Sequence, residues 1–307
     1  MPRAPRTSHQ VIVIGAGIAG LAAATEAARC GLKTALFDDG LLGGLITNVG
    51  SIHGHPGAEG GTGADLVNTM LGAALEAGVD YQPGAVTSLE RNSDPHCGYW
   101  RLPDASAPSV ILATGAELRT LGVPGEAELA GRGVSQCAYC DGGLYKGRDV
   151  AVVGGGDGAF QEALHLATLC ANVTMILRGL KPRARPAFVR QAADLGNLHF
   201  RWQTEVREIT GTDGVDAVQL HDLNSGEGKS LTVAAVFTFI GLVPRTDLIT
   251  AGCDDGGGLT VGQNMQTDQP GLYAVGAVRS GYGGQIAHAI TDGKTAALAI
   301  WMAQTTR

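Results

Sequence analysis

The chain of 307 residues has no surplus of positive charge; its formal net charge is -7 at pH 7. That excludes nucleic acid or an anionic membrane as a main partner, because both require a basic surface. No apolar run approaches the roughly 18 residues of a membrane span. No secretory leader is expected either, since the basic start MPRAPRTSHQ runs straight into VIVIGAGIAG without an apolar stretch and small-residue cleavage site. A cytoplasmic protein with no membrane partner is the expectation. Cysteine is scarce: of six, Cys30, Cys97, Cys170 and Cys253 stand singly, as reduced and mostly buried thiols would, and only Cys137 and Cys140 are paired in sequence. No second Cys-x-x-Cys and no paired-histidine motif accompanies them, so a structural zinc would lack two of its ligands.

What the chain has in excess is glycine, 47 residues, about twice average usage. With no Gly-X-Y period and no Pro-rich run, these glycines belong at turns and where backbone must approach something closely. The first concentration is VIVIGAGIAGLAAATEAARCGLKTALFDD. A short strand (Val11 to Ile14) leads into Gly15-x-Gly17-x-x-Gly20, an alanine-rich helix and a second strand ending at Asp38. Gly15 permits a tight turn, Gly17 admits a pyrophosphate to the backbone, and Gly20 lets the helix pack on the strand. Asp38 can accept from a ribose diol. The pattern returns in DVAVVGGGDGAFQEALHLATLCANVTMILR as Gly154-x-Gly156-x-x-Ala159 between a strand and a helix. Its second strand ends near Leu177 without an acid, and Arg178, Lys181, Arg183 and Arg185 follow. An absent acid beside guanidinium groups favours a 2'-phosphate, hence NADP over NAD.

Two dinucleotide units predict an α/β protein with two Rossmann-like domains. The strand Val110 to Thr114 delivers Gly115 to an exit from the first domain. A second crossing lies where a strand ends at Gly241 and Pro244 breaks regular structure. The second domain, 116–245, is thus inserted into the first, 1–115 and 246–307. On spacing alone the SQCAYCDGG segment stays open among zinc half-site, structural bridge and redox disulfide. HGHPG, His53 to Gly57, has the look of an i, i+2 metal clip on a strand, although ordinary loop histidines are favoured and no metal is expected.

These motifs, in this order, resemble the low-molecular-weight thioredoxin reductase family of FAD-dependent disulfide reductases. The likeness runs from Val11 to about Ala299. It rests on Gly15-x-Gly17-x-x-Gly20, ATG at Ala113 to Gly115, CAYCDG at Cys137 to Gly142, VVGGGDGAFQEA at Val152 to Ala163, FIGLVP at Phe239 to Pro244, and GLYAVGAV followed by Gln285. Larger relatives such as glutathione reductase place their cysteine pair in the FAD domain and add an interface domain. The resemblance implies that Cys137 and Cys140 are the redox pair, with Cys140 nearer the flavin and exchanging electrons with its C4a position. Cys137 would attack the partner disulfide, and Asp141 would protonate a departing thiolate. It also implies an FAD site at Gly15, Gly17, Gly20, Asp38, Gly44, Asn48, Thr114, Gly115, Gly276, Gln285 and Ile286. The implied NADPH site is Gly154, Gly156, Asp157, Ala159, Arg178 and Arg183. A homodimer is implied as well, with two alternating domain arrangements hinged near Gly115 and Gly241.

The chain departs from the family at three places. Ala277 stands where an aspartate usually bonds the ribityl chain, Leu177 to Gly179 replaces His-Arg-Arg, and Leu45 replaces a glutamine. One lost charged hydrogen bond is worth roughly 1.5 to 3 kcal/mol, so a tightly held flavin is expected to survive it. The favoured reading is an NADPH-dependent reductase of a thioredoxin-like protein. The alternatives are a small-molecule dithiol oxidase using oxygen, a ferredoxin-fed disulfide reductase, and a flavin-binding module without catalysis; intact Cys137, Cys140 and Asp141 speak against the last.

Overall fold

The computed structural model describes residues 9–40, 42–92, 98–249 and 251–305. Cys97 lies outside them. The described helices are α1 (Ile18–Arg29), α2 (Gly63–Glu76), α3 (Ala138–Asp141), α4 (Asp157–Ala167), α5 (Pro186–Ala193) and α6 (Ile286–Thr305). None among the described residues is long and apolar enough to cross a membrane. The chain divides into two compact units, Met1–Glu117 with Val243–Arg307, and Leu118–Leu242. Both are Rossmann-like α/β units, the second inserted into the first.

The first unit is built on a five-stranded parallel sheet in the spatial order Asp80–Pro83, Thr34–Asp38, Val11–Ile14, Ser109–Leu112, Leu272–Ala274. Numbered along the chain, that is 3-2-1-4-5, so the strand order reverses beside Val11–Ile14. In such sheets, ligands bind beyond the carboxyl ends of the strands at the reversal. The central strand is buried on both faces: Val11 and Val13 join one core, Ile12 and Ile14 the other. The strand before the exit ends at Leu112, two residues short of Thr114. The helix α1, IAGLAAATEAAR, is rich in the best helix former and stops where Gly31 takes φ +81°. It packs against α6, where a Cβ on Gly293 would lie 2.8 Å from Ala23 N.

The second unit repeats the plan. Its parallel sheet runs Leu198–Arg201, Asn172–Ile176, Asp149–Val153, Ala235–Thr238, Val134–Ser135. The order reverses beside Asp149–Val153, the strand that feeds the second glycine turn. Val150 and Val152 face one core, Ala151 and Val153 the other. An antiparallel sheet of Thr204–Thr210, Ala217–Asp222 and Gly228–Thr232 completes the unit.

Candidate active site

At the first glycine turn, each glycine has a different reason to be one. Gly15 has φ +104°, and a Cβ there would strike the Ala113 carbonyl; a Cβ on Gly20 would strike the Gly15 carbonyl. Gly17 is unlike both. Its φ of -73° suits any residue, and the nearest atom to a Cβ would be Gly43 O at 3.6 Å. The protein itself would tolerate a side chain there, so glycine keeps space clear for something else. No side chain caps the first turn of α1, although Thr62 and Asp65 form a full capping box on α2. Bare amides beside a cleared space suit an anionic pyrophosphate. Asp38 points the same way: its Oδ1 accepts from Ala16 N at 3.0 Å, while its buried Oδ2 has no partner. Burial pushes this carboxyl above its ordinary range, the Ala16 hydrogen bond opposing. An orphaned acceptor at the end of the second strand fits a ribose hydroxyl.

Around this turn, Gly43 N donates to Ala16 O at 3.1 Å and opens the short helix Gly44–Asn48, which carries Gly44 and Asn48. Thr114 Oγ1 donates to Arg245 O at 2.6 Å and Arg245 N to Gly115 O at 3.0 Å, so these two residues bind the returning chain. Gly276 (φ +72°) would bring a Cβ to 2.8 Å from Ala19 Cβ, which places it against the start of α1. Its N–H donates to Asp292, which also holds Arg279 at 2.7 and 3.0 Å. Gln285 is exposed, and Ile286 begins α6. Ala277 offers no carboxylate in the turn Gly276–Val278.

The second turn follows the same logic. Gly154 has φ +148°, where a Cβ would strike the Phe239 carbonyl and crowd Ala159. At Gly156 (φ -96°) a Cβ would meet nothing within 4 Å, and no side chain caps α4. The basic loop folds onto this turn, with Arg183 N and Ala184 N donating to Gly155 O at 2.7 and 3.1 Å. Asp157 is committed to the loop: it accepts from Arg185 N and Arg185 Nε, both at 2.7 Å. Arg178 and Arg183 are exposed, and Leu177 is buried where the first unit has its acid.

Cys137 and Cys140 are joined as a disulfide with Cα atoms 5.3 Å apart. Cys137 is the N-cap of α3, and its Sγ accepts from Cys140 N at 3.1 Å. On one side, Ser135 Oγ donates to Asp141 Oδ2 at 2.6 Å and accepts from Cys137 N at 3.1 Å. On the other, Glu162 of α4 accepts from Ala138 N at 3.0 Å and from the Tyr139 amide. Burial pushes the Glu162 carboxyl up to about 7. The Tyr139 ring stacks on His165 with centroids 3.8 Å apart. Ser135 and Glu162 lie within the SQCAYCDGG and VVGGGDGAFQEA segments, but nothing in either segment signals their roles. His53 to Gly57 runs through a loop rather than a strand, with His53 Nδ1 3.3 Å from Glu59. Among the described residues, no group of three or more His, Cys, Asp or Glu could hold a metal ion.

A disulfide ahead of a second uncapped dinucleotide turn fits one family model, that of the pyridine nucleotide-disulphide oxidoreductases, which matches residues 9–293. The chain belongs to the pyridine nucleotide-disulphide oxidoreductase family. It is 37% identical over 293 residues to thioredoxin reductase from Treponema pallidum, covering 95% of each chain. To thioredoxin reductase from Bacillus subtilis it is 35% identical over 295 residues, covering 95% of this chain and 93% of that one. The crystal structure of Lactococcus lactis thioredoxin reductase in its FR conformation is similar at a TM-score of 0.92 and 33% identity, covering 98% and 100% of the two chains. Within the pyridine nucleotide-disulphide oxidoreductases it is of the low-molecular-weight thioredoxin reductase type, a flavoprotein disulfide reductase.

Proposed function

We propose that this chain passes electrons from NADPH through FAD and the Cys137–Cys140 pair to the disulfide of a thioredoxin-like protein. The observation that carries the reading is the disulfide itself: its Cys137 caps α3, which packs on α4, whose own N-terminus has no side-chain cap and is left bare for a nucleotide. The names of the relatives support a protein acceptor.

Gly15, Gly17, Gly20 and the free oxygen of Asp38 would hold FAD, with Gly44, Asn48, Thr114, Gly115, Gly276, Gln285 and Ile286 completing its site. NADPH would lie along Gly154, Gly156 and Ala159. Arg178 and Arg183 would meet its 2'-phosphate, and Asp157 would fix the loop that carries them. Bound there, the two cofactors supply the two-electron reduction that opens the disulfide.

The rest is the chain's own chemistry. As a thiolate, Cys137 attacks one sulfur of the partner disulfide; that bond breaks and the second partner sulfur leaves, taking a proton from Asp141, which Ser135 holds in place. Cys140 then attacks Cys137 in the mixed disulfide. The internal disulfide re-forms, and the partner departs as a dithiol. A homodimer is part of this reading.

An anaerobic titration tests it. NADPH should bleach the flavin absorbance faster than NADH, and adding a thioredoxin disulfide should restore it. Bleaching by neither nucleotide would sink the reading. Bleaching by a small dithiol, with peroxide formed in air, would instead make the protein a dithiol oxidase.

A further inference from the structure

The helix α3 has only four residues, so its first amides must find partners outside the helix. Ala138 N and Tyr139 N donate to Glu162, and Cys140 N donates to Cys137 Sγ. Three amides at one helix head therefore serve two acceptors. Once the disulfide opens, both acceptors can carry a negative charge, the Glu162 carboxylate and the Cys137 thiolate. Amides at a helix head favour a thiolate, and an anion held on the neighbouring amides disfavours it.

We propose that Glu162 is a positioning residue for the exchange reaction: it holds the head of α3 through the Ala138 and Tyr139 amides, and its charge sets how much of Cys137 is thiolate. With Glu162 ionised, Cys137 keeps its proton; with Glu162 protonated, Cys137 ionises more readily. Burial pushes the carboxyl up to about 7, so the charge at Glu162 changes in the neutral range. Of the titratable groups nearby, Tyr139 feels the Glu162 charge directly; α3 and its N-cap also carry Asp141 and the two cysteines, and the same helix as Glu162 carries His165, whose charged form burial disfavours. The other elements packed on α4 carry Arg190 on α5 and Asp149 on the strand Asp149–Val153, and neither contributes to the shift at Glu162. The inference rests on Cys137 being the exchanging sulfur.

The test is the pH profile of iodoacetamide alkylation of the reduced holoenzyme, resolved to Cys137 and Cys140 by peptide mass. In the wild type, the Cys137 rate should rise through two inflections, one near neutrality. Glu162→Gln keeps an oxygen for the Ala138 amide but no charge. It should leave one inflection and raise the rate at pH 7 by about tenfold, the change that one pKa unit of thiolate brings. Glu162→Asp should keep the two-step profile, which guards against a glutamine variant that fails to fold. Cys137 profiles that superpose for the wild type and Glu162→Gln, or a single step in the wild type, overturn the inference and leave the assignment of Cys137 standing. Alkylation confined to Cys140 overturns both.

Discussion

At the level of single residues, Asp38 and Glu162 are carboxyls with opposite legibility. Asp38 is readable because its neighbours are local: the acid follows the glycine turn at the distance a strand and helix require, and the structure leaves its Oδ2 buried and unpartnered. An unsatisfied buried acceptor penalises the empty fold, and burial holds its carboxyl above the ordinary range. Asp38→Asn should therefore weaken FAD about tenfold to hundredfold, the value of one charged hydrogen bond, without lowering the melting temperature of the FAD-free chain. Flavin release on dilution and a thermal melt of stripped protein check the two halves. Glu162 is hidden in the sequence because its partner Ala138 lies 24 positions away and no motif links them. Its folded value of about 7, against an ordinary 4.5, means that the folded chain holds an extra proton. That stability is fully present below about pH 4.5 and is lost as pH rises through about 7. Chemical denaturation should show Glu162→Gln gaining on the wild type across this window by roughly 3 kcal/mol.

Among the elements, the informative comparison is between helices that cap themselves and helices that do not. Thr62 and Asp65 close α2, while α1 and α4 begin at glycines with no side-chain cap. Both glycine turns were legible from sequence because strand, turn and helix are contiguous. The ends of elements were less so: the exit strand stops at Leu112 rather than Thr114, and His53 to Gly57 forms a loop. Strand ends depend on pairing with distant segments, which local pattern does not reveal. The basic loop after the strand Asn172–Ile176 is a further case. Its charges were plain in the sequence, but its fold onto Gly155 and the clamp of Arg185 by Asp157 required the structure. With Arg185 committed there, Arg178 and Arg183 are the guanidinium groups that would read a 2'-phosphate. Arg183→Glu should raise the KM for NADPH about tenfold, the loss of one charge-assisted contact, while leaving the KM for NADH nearly unchanged, as steady-state kinetics with each coenzyme will show. An equal effect on both would remove Arg183 from the phosphate site.

For the whole molecule, the nested order of the two units was legible because each contains its own glycine turn and the chain's late motifs return to the first sheet. Four strands of each sheet share one order, 3-2-1-4, which puts the glycine turns at equivalent places; the fifth strand comes last in the first unit and first, at Val134–Ser135, in the second. The redox disulfide belongs to the inserted unit, beside α4. In the proposed route, electrons reach a protein disulfide through Cys137, the last sulfur. The most direct measurement is an anaerobic comparison of wild type and Cys137→Ser, following flavin absorbance and thioredoxin thiols together. NADPH should still bleach the flavin of the serine variant while thioredoxin stays oxidised. Continued reduction of thioredoxin by that variant, or loss of flavin reduction along with it, would rule out Cys137 as the exchanging sulfur.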